Sequence, residues 1–184
     1  MRSVLFTAFV FCFFLLSSCS ATRISTINVP SPPAIPADSK VLIMPIADGV
    51  ERKEGPAQGS GKAVMVALRD ALLSHGFKAV AGEIKNLPEA FLEASKLLCQ
   101  YVLKGDITEW EDNATPWSGK PDVVSLSIEV YDSKTQKNIG TVSHQAAGAK
   151  FDFSERNPDR FYPELADATL GPIFGWKPSI QTEK

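Results

Sequence analysis

The sequence predicts a single α/β domain of the α+β kind, in which one mixed β-sheet packs against helices. Short apolar runs alternate with segments of helical periodicity in the first half of the chain, and two long alternating runs joined by a polar turn follow in the second half. Strands separated by helices pair in parallel, and strands joined by short loops pair antiparallel. The predicted element order is β-α-β-α-β-β-β-α, which gives one mixed sheet.

The first half of the domain contains two strands and two helices. Val41–Ile46 is an apolar run typical of a buried strand, although Pro45 lacks a backbone donor. A glycine-rich loop, 48–60, leads into a helix that should end at Gly76, since glycine favours helix C-termini. Phe77–Val80 is predicted as the second strand, and Pro88 opens the second helix. The apolar stripe of the first helix is formed by Val64, Ala67, Leu68, Ala71 and Leu72.

The second half contains three strands and a final helix. The strands are predicted over Tyr101–Thr108, Val123–Tyr131 and Ile139–Phe153. The helix begins at Asn157-Pro158, a capping residue followed by a proline suited to the first turn. It is expected to run to about Leu170, where Gly171-Pro172 would stop it.

The amino terminus predicts export and lipidation. Arg2 precedes an apolar run, Val4–Leu16, that is too short to span a bilayer. Cys19 directly follows Leu-Ser-Ser and resembles the lipobox cysteine of bacterial lipoproteins, which is acylated and becomes residue one. An ordinary signal peptide with a nearby cysteine is the alternative. Ser20 directly follows this cysteine. Aspartate at that position holds enteric lipoproteins in the inner membrane, so a serine there resembles the sequence of lipoproteins sorted to the outer membrane. We therefore expect anchoring in the outer membrane of the bacterial cell envelope, facing the periplasm.

Composition divides the chain into four segments. They are a signal peptide (1–18), a lipidated cysteine with a Pro/Ser-rich tether (19–39), a globular domain (40–175) and a C-terminal tail (176–184). After export and lipidation only Cys99 keeps a free thiol, which we expect to be buried and inert. A net charge of −2 provides no electrostatic reason to bind nucleic acid.

A glycine-rich stretch, Gly55–Ala63, lies between a predicted strand and a predicted helix and resembles a phosphate-binding loop. Its glycine spacing is one residue too long, Pro56 lacks a backbone donor, and Ala63 has no hydroxyl for magnesium. Weak anion binding by free amides at the helix N-terminus is the remaining alternative. We expect no nucleotide ligand.

Catalytic and metal-binding patterns are equally sparse. The sequence has no Gly-x-Ser-x-Gly elbow. His75 and His144 have no Cys, His or carboxylate at metal-ligand spacing. The sequence predicts no catalytic residue, no metal and no cofactor.

The segment from Glu109 to Asp122 places several acids and two tryptophans at a strand end. Paired carboxylates beside aromatic rings are typical of glycosidases, so a cell-wall glycan binder or hydrolase using the Glu109–Trp117 loop is the alternative function. A loop held in place by indole packing is the structural alternative. If the loop is functional, binding is favoured over catalysis. The candidate interaction surface is Trp110, Glu111, Asp112, Thr115, Trp117 and Ser118.

The same segment carries a family resemblance. Trp110 to Asp122 follows the pattern W-E-D-x-A-T-x-W-S-G-x-P-D, which resembles an uncharacterised lipoprotein family of Gram-negative bacteria classed as a domain of unknown function. The resemblance extends over about Lys40 to Gly175 and includes the Gly59-Ser60-Gly61 turn. The family often has histidine at the position of Glu109, which argues against acid–base chemistry in this loop.

The predicted element order is also similar to the amino-terminal module of TolB and to related envelope lipoprotein modules. Such modules bind protein partners or assemble. The resemblance therefore implies a non-catalytic module with an envelope protein partner, in addition to membrane attachment through lipid on Cys19. A subunit of a ring is one form that this assembly could take.

Overall fold

A six-stranded mixed sheet forms the centre of the fold and confirms the predicted α/β (α+β) class. The computed structural model describes residues 22–30, 35–51, 54–113, 120–148 and 157–178. The sheet contains β1 (Thr22–Asn28), β2 (Lys40–Ile43), β5 (Lys78–Ala81), β6 (Tyr101–Glu111), β7 (Val123–Asp132) and β8 (Asn138–Ala147), in the order β1-β8-β7-β6-β2-β5. A separate short hairpin joins β3 (Val50–Glu51) to β4 (Gly55–Pro56). The helices are α1 (Ser60–Ser74), α2 (Leu87–Lys96) and α3 (Tyr162–Phe174), the last preceded by a 3₁₀ turn at Pro158–Phe161.

Strand directions follow the connections as predicted. Strand β2 pairs in parallel with β5 and with β6, each of which is reached through a helix. Strands β6, β7 and β8 form an antiparallel meander. A bulge between Ile107 and Glu109 interrupts the β6–β7 register near the end of β6.

The two faces of the sheet are covered differently. Helices α1 and α3 pack against each other and against one face, where Leu68, Leu126 and Leu165 are fully buried. Helix α2 covers part of the other face, where Phe91 packs in a second cluster that also holds Cys99. The Cys99 thiol is buried as expected, and burial raises its pKa. Polar side chains occupy the face of β7 and β8 that none of the described helices covers, including a Ser143–Ser127 hydroxyl pair at 2.9 Å.

Strand β1 lies within segment 19–39, which the sequence predicted to be an unpaired tether. Thr22–Asn28 pairs antiparallel with β8 along its whole length, and Val29 and Ile35 pack against the first core. Thr, Ile and Ser favour extended structure, but their pairing partner lies more than a hundred residues away in the sequence. Local composition therefore indicated an extended chain without indicating what it pairs with.

The end of α3 also differs from the prediction, which placed it at about Leu170. The helix continues through Gly171-Pro172 to Phe174, and Gly175 ends it with a φ of 89°. Because Pro172 lies in the last turn, its missing N–H removes only one helical hydrogen bond. Trp176, predicted to begin the tail, stacks on His75 with ring centroids 4.0 Å apart. The predicted end of the fifth strand, 149–153, lies outside the described residues.

Candidate functional site

Trp110 is the first member of the candidate interaction surface, and its side chain lies in the core. The residue is 8% exposed, and its Nε1 donates a hydrogen bond to the Tyr162 hydroxyl at 3.0 Å. Gly49 packs so closely on it that an added Cβ would lie 2.8 Å from the Trp110 Cβ. This burial favours the structural alternative for Trp110, because a buried indole offers little area to a partner.

Glu109 points to the opposite face of the sheet from Trp110. Its carboxylate accepts hydrogen bonds from Gln145 Nε2 at 2.6 Å and from Ser125 Oγ at 3.2 Å. A cleft of about 320 Å³ opens here, lined by Val50, Thr108, Glu109, Trp110, Glu111 and Ser125. The cleft is polar, and the carboxylate inside it is already held by two side-chain donors.

Glu111 and Asp112 belong to an acidic region at the end of β6. Burial raises the pKa of Asp112, and the charges of Asp122 and Glu54 raise it further, against a lowering contribution from Arg160. Burial and the neighbouring Glu54, Asp112 and Glu111 raise the pKa of Glu51 in the same way. The short β3–β4 hairpin and the β6 terminus thus bring several carboxylates together that the sequence keeps far apart.

The described ends of the loop between β6 and β7 are bridged by side chains. Asp122 accepts the backbone N–H of Asn113 at 2.9 Å and the Arg160 guanidinium at 2.8 Å, while Asn113 Nδ2 donates to the Pro121 carbonyl at 2.7 Å. Thr115, Trp117 and Ser118 lie outside the described residues. The part of the loop that is described is therefore closed by structural hydrogen bonds.

The glycine-rich turn before α1 is occupied by a carboxylate from the protein itself. Asp48 accepts the backbone N–H of Gly61 at 2.9 Å and that of Gly59 at 3.1 Å. Gly49 N–H donates to Ser60 Oγ at 2.9 Å. Because Asp48 accepts two N–H groups of the turn and stabilises the positive end of the helix dipole, the turn has a structural role.

A partly buried polar cluster links β1, β8 and α3, and sequence reasoning missed it. Arg23 contacts Glu164 through both Nε and Nη2, the latter at 2.9 Å. His144 places Nδ1 2.5 Å from Ser25 Oγ and Nε2 3.7 Å from Glu164 Oε1. A charged residue in a supposed tether and a histidine in an alternating strand were its only sequence signals.

The Ser25–His144–Glu164 order is similar to that of a hydrolytic triad, but the geometry supports a structural role. The Glu164 carboxylate is bound to the Arg23 guanidinium, and its separation from the imidazole exceeds hydrogen-bonding distance. Neither Ser25 nor His144 lines the polar cleft or the groove of about 410 Å³ between α1 and α3. The described ranges also contain no group of three or more His, Cys, Asp or Glu suited to a metal ion.

The arrangement defines a mixed α/β domain in which a partly buried ion pair connects the first described strand to the last described helix. Similar folds occur in bacterial proteins of solved structure. The PelC dodecamer from Paraburkholderia phytofirmans matches with a TM-score of 0.66 at 18% identity, covering 86% of this chain and 100% of that chain. Protein XCC0632 from Xanthomonas campestris, a DUF330 protein, matches with a TM-score of 0.53 at 13% identity, covering 78% and 90%. Lipoprotein GNA1162 from Neisseria meningitidis matches with a TM-score of 0.50 at 13% identity, covering 73% and 97%.

These similarities support the fold only. The roles of individual residues have to be inferred from the structure of this chain. No protein-family model matches the sequence, and no curated protein matches it. Within the described residues, no helix has the length and apolar character needed to cross a bilayer.

Proposed function

We propose that this chain is a lipid-anchored lipoprotein of the cell envelope whose α/β domain is a non-catalytic module for protein binding or assembly. Strand β1 carries the proposal. It starts at Thr22, three residues after Cys19, and pairs with β8 at one edge of the described sheet. Lipid on Cys19 would therefore hold the domain directly at the membrane surface.

The outer edge of β1 is suited to contact with another polypeptide. The strand is exposed from Ile24 to Asn28, with Ile24 at 54% and Ile27 at 56%. The only charged side chain of β1, Arg23, turns inward to Glu164, so the edge lacks the lysines and prolines that protect exposed strands. Such an edge favours association by strand addition.

The similar folds agree with this class of function. PelC is described as a dodecamer and GNA1162 as a lipoprotein. An outer-membrane location facing the periplasm, suggested by Ser20, is part of the proposal. The six residues Trp110, Glu111, Asp112, Thr115, Trp117 and Ser118 stay a proposed interaction surface, in which the described carboxylates Glu111 and Asp112 are better placed than the buried Trp110.

Lipidation predicts a clear result in cell fractionation. Replacing Cys19 with alanine removes the only acylated sulfur, so the variant should move from the membrane fraction to the soluble fraction. Cys99→Ala is the matched control, because that thiol is buried in the second core and should leave fractionation unchanged. A Cys19→Ala protein that still sediments with membranes would contradict the anchor.

Assembly can be tested on the mature domain without its lipid. Analytical ultracentrifugation should give a mass above that of one copy, and Ile24→Lys should restore the monomer mass by placing a charge on β1, at the edge of the described sheet. Leu73→Lys is the matched control, since Leu73 is similarly exposed, at 50%, on α1. A monomeric wild-type domain that also captures no protein under crosslinking in the envelope would refute the module.

The glycan alternative depends on the polar cleft beside Glu109. It predicts that the domain sediments with purified cell-wall peptidoglycan and that Trp117→Ala releases it. Sedimentation that survives Trp117→Ala would remove the Glu109–Trp117 loop as the glycan site.

A further inference from the structure

If the proposed anchor is correct, the position of β1 gives the domain an anchored end and an end distal to the anchor. Thr22 pairs with Ala147, and Ala147 pairs with Val123, at the end of the sheet where β6 finishes. Residues 19–21 can span only about 10 Å. Strand β6, with eleven residues, extends about 35 Å to its start at Tyr101. The Tyr101 end therefore lies about 35 Å from the end of the sheet that would carry the anchor.

Helix α2 ends at this distal end in a conformation that normally requires glycine. Cys99 N–H donates to the Ala94 carbonyl at 2.8 Å, and Leu98 N–H donates to the Ser95 carbonyl at 3.2 Å. These two bonds form a Schellman motif, whose C′ residue adopts a left-handed backbone. The residue there is Leu98, with a φ of 56°.

Leu98 is unfavourable at its position in two independent ways. A left-handed backbone destabilises a residue with a bulky side chain relative to glycine. The side chain is also 77% exposed, so it contributes little burial in return, and Leu97 beside it is 36% exposed. The cap needs a left-handed residue but not a leucine, and strained residues of this kind cluster at binding and other functional sites.

Lysines surround this leucine pair. Lys96 is the last residue of α2, and Lys40 Nζ donates to the Leu97 carbonyl at 2.8 Å. Lys78 pairs with Lys40 across β2 and β5. On the other side, Ser133 donates to the Cys99 carbonyl at 2.7 Å and leads into the β7–β8 turn, which carries Lys134 and Lys137.

Few acids offset these charges. Asp132 lies in the same turn and is one of them; one of its carboxylate oxygens accepts the Thr135 N–H at 2.6 Å and the Lys134 N–H at 3.1 Å. Asp38, two residues before Lys40, and Glu93, whose charge raises the pKa of Cys99, are the further nearby carboxylates among the described residues. The helix dipole accounts for Lys40 and Lys96 at the end of α2 but not for Lys78, Lys134 and Lys137.

We propose that Leu98 and Leu97, with the surrounding lysines, form a docking site for a different protein that presents an acidic surface around an apolar pocket. The positive charge selects the acidic partner, and Leu98 is the apolar anchor that enters its pocket. The site lies at the opposite end of the sheet from Thr22 and is separate from the β1 edge. It deepens the proposed function by naming the chemistry of the partner.

Site-specific photo-crosslinking in cells tests this site on the full chain. Replacing Leu98 with p-benzoylphenylalanine should give an adduct with a protein whose crosslinked segment is rich in Asp and Glu. The same probe at Leu73, on the opposite face of the sheet, is the matched control and should not give that adduct. An adduct with lipid, with a second copy of this chain, or equally from both positions would overturn the proposal.

A stability measurement separates binding from folding. Leu98→Gly relieves the left-handed backbone, so its Tm should rise by about 3 °C. The same variant should bind the crosslinked partner, once purified, at least about tenfold more weakly, the loss of one buried apolar anchor. The double variant Lys96→Glu/Lys134→Glu should weaken binding at low salt.

Unchanged affinity of Leu98→Gly for the partner would overturn the proposed docking site. Crosslinks from Ile24 without any from Leu98 would also do so, while leaving the proposed function standing.

Discussion

Replacing Gly61 with alanine should lower the free energy of unfolding by about 3 kcal/mol, because the new methyl group has no space. A Cβ at this position would lie 2.3 Å from the Ile46 carbonyl oxygen and 2.9 Å from the Ala47 carbonyl carbon. Both neighbours are backbone atoms, so relief requires the segment after β2 to move away from α1. That movement would also disrupt the hydrogen bonds of Asp48 to the turn.

Urea denaturation of the mature domain measures this effect, and Gly76→Ala is the matched control. Gly76 also lies in a tight turn, with a φ of 83°, but an added Cβ there meets no atom within 4 Å. The control should lose only about 1 kcal/mol, the cost of a left-handed alanine. Equal losses in the two variants would show that close packing at Gly61 does not limit stability.

Replacing Glu164 with glutamine should lower the free energy of unfolding by about 2 kcal/mol, because it leaves the Arg23 charge without its partner. The side chain of Glu164 is 9% exposed and that of Arg23 is 19% exposed. We expect a value below that of a fully buried pair because Arg23 keeps partial contact with water. The loosened strand would be β1, which connects the domain to the proposed anchor.

Asp70→Asn is the matched control for the ion pair. Asp70 pairs with Arg69 on α1, where the two side chains are 59% and 47% exposed. Such exposed pairs contribute about 0–1 kcal/mol, so this variant should be close to wild type in urea denaturation. A Glu164→Gln protein as stable as Asp70→Asn would mean that the buried cluster does not hold β1 in place.

The pH dependence of stability gives an independent measurement on Glu164. Burial alone would raise the pKa of this carboxyl, but His144 and Arg23 lower it below its ordinary value. A carboxyl with a lowered pKa stabilises the fold above its unfolded pKa of about 4.3, and this contribution is lost as the pH falls through the folded value. Stability should therefore fall less below about pH 4 in Glu164→Gln than in wild type.

Local patterns in the sequence predicted most elements of the sheet and helices. Alternation predicted β7, and the apolar stripe around Leu68 and Leu72 predicted α1, because periodicity of this kind reports burial on one face. The β1 pairing could not be predicted in this way. An edge strand with one neighbour has little apolar alternation, and the register of β1 depends on β8.

For the candidate site too, local sequence predicted some features, and contacts between distant residues decided the others. The sequence drew attention to Trp110, but whether its indole faced solvent or the core depended on Gly49 and Tyr162, which lie far from it in the chain. Leu98 has no distinctive sequence pattern. Its left-handed backbone and its exposure appear only when the end of α2 is seen next to β2 and the β7–β8 turn.

The sequence by itself determined the α/β class, the order of most elements and the prediction of a lipidated Cys19, since propensity, periodicity and export signals are local properties. Only the tertiary structure decided that the predicted tether contains a strand and that Arg23 and His144 meet Glu164. It also decided that exposed leucines lie among lysines at one end of the sheet. The physical reason is that these features depend on contacts between residues distant in the chain. Such contacts form only when burial of the common core brings the segments together.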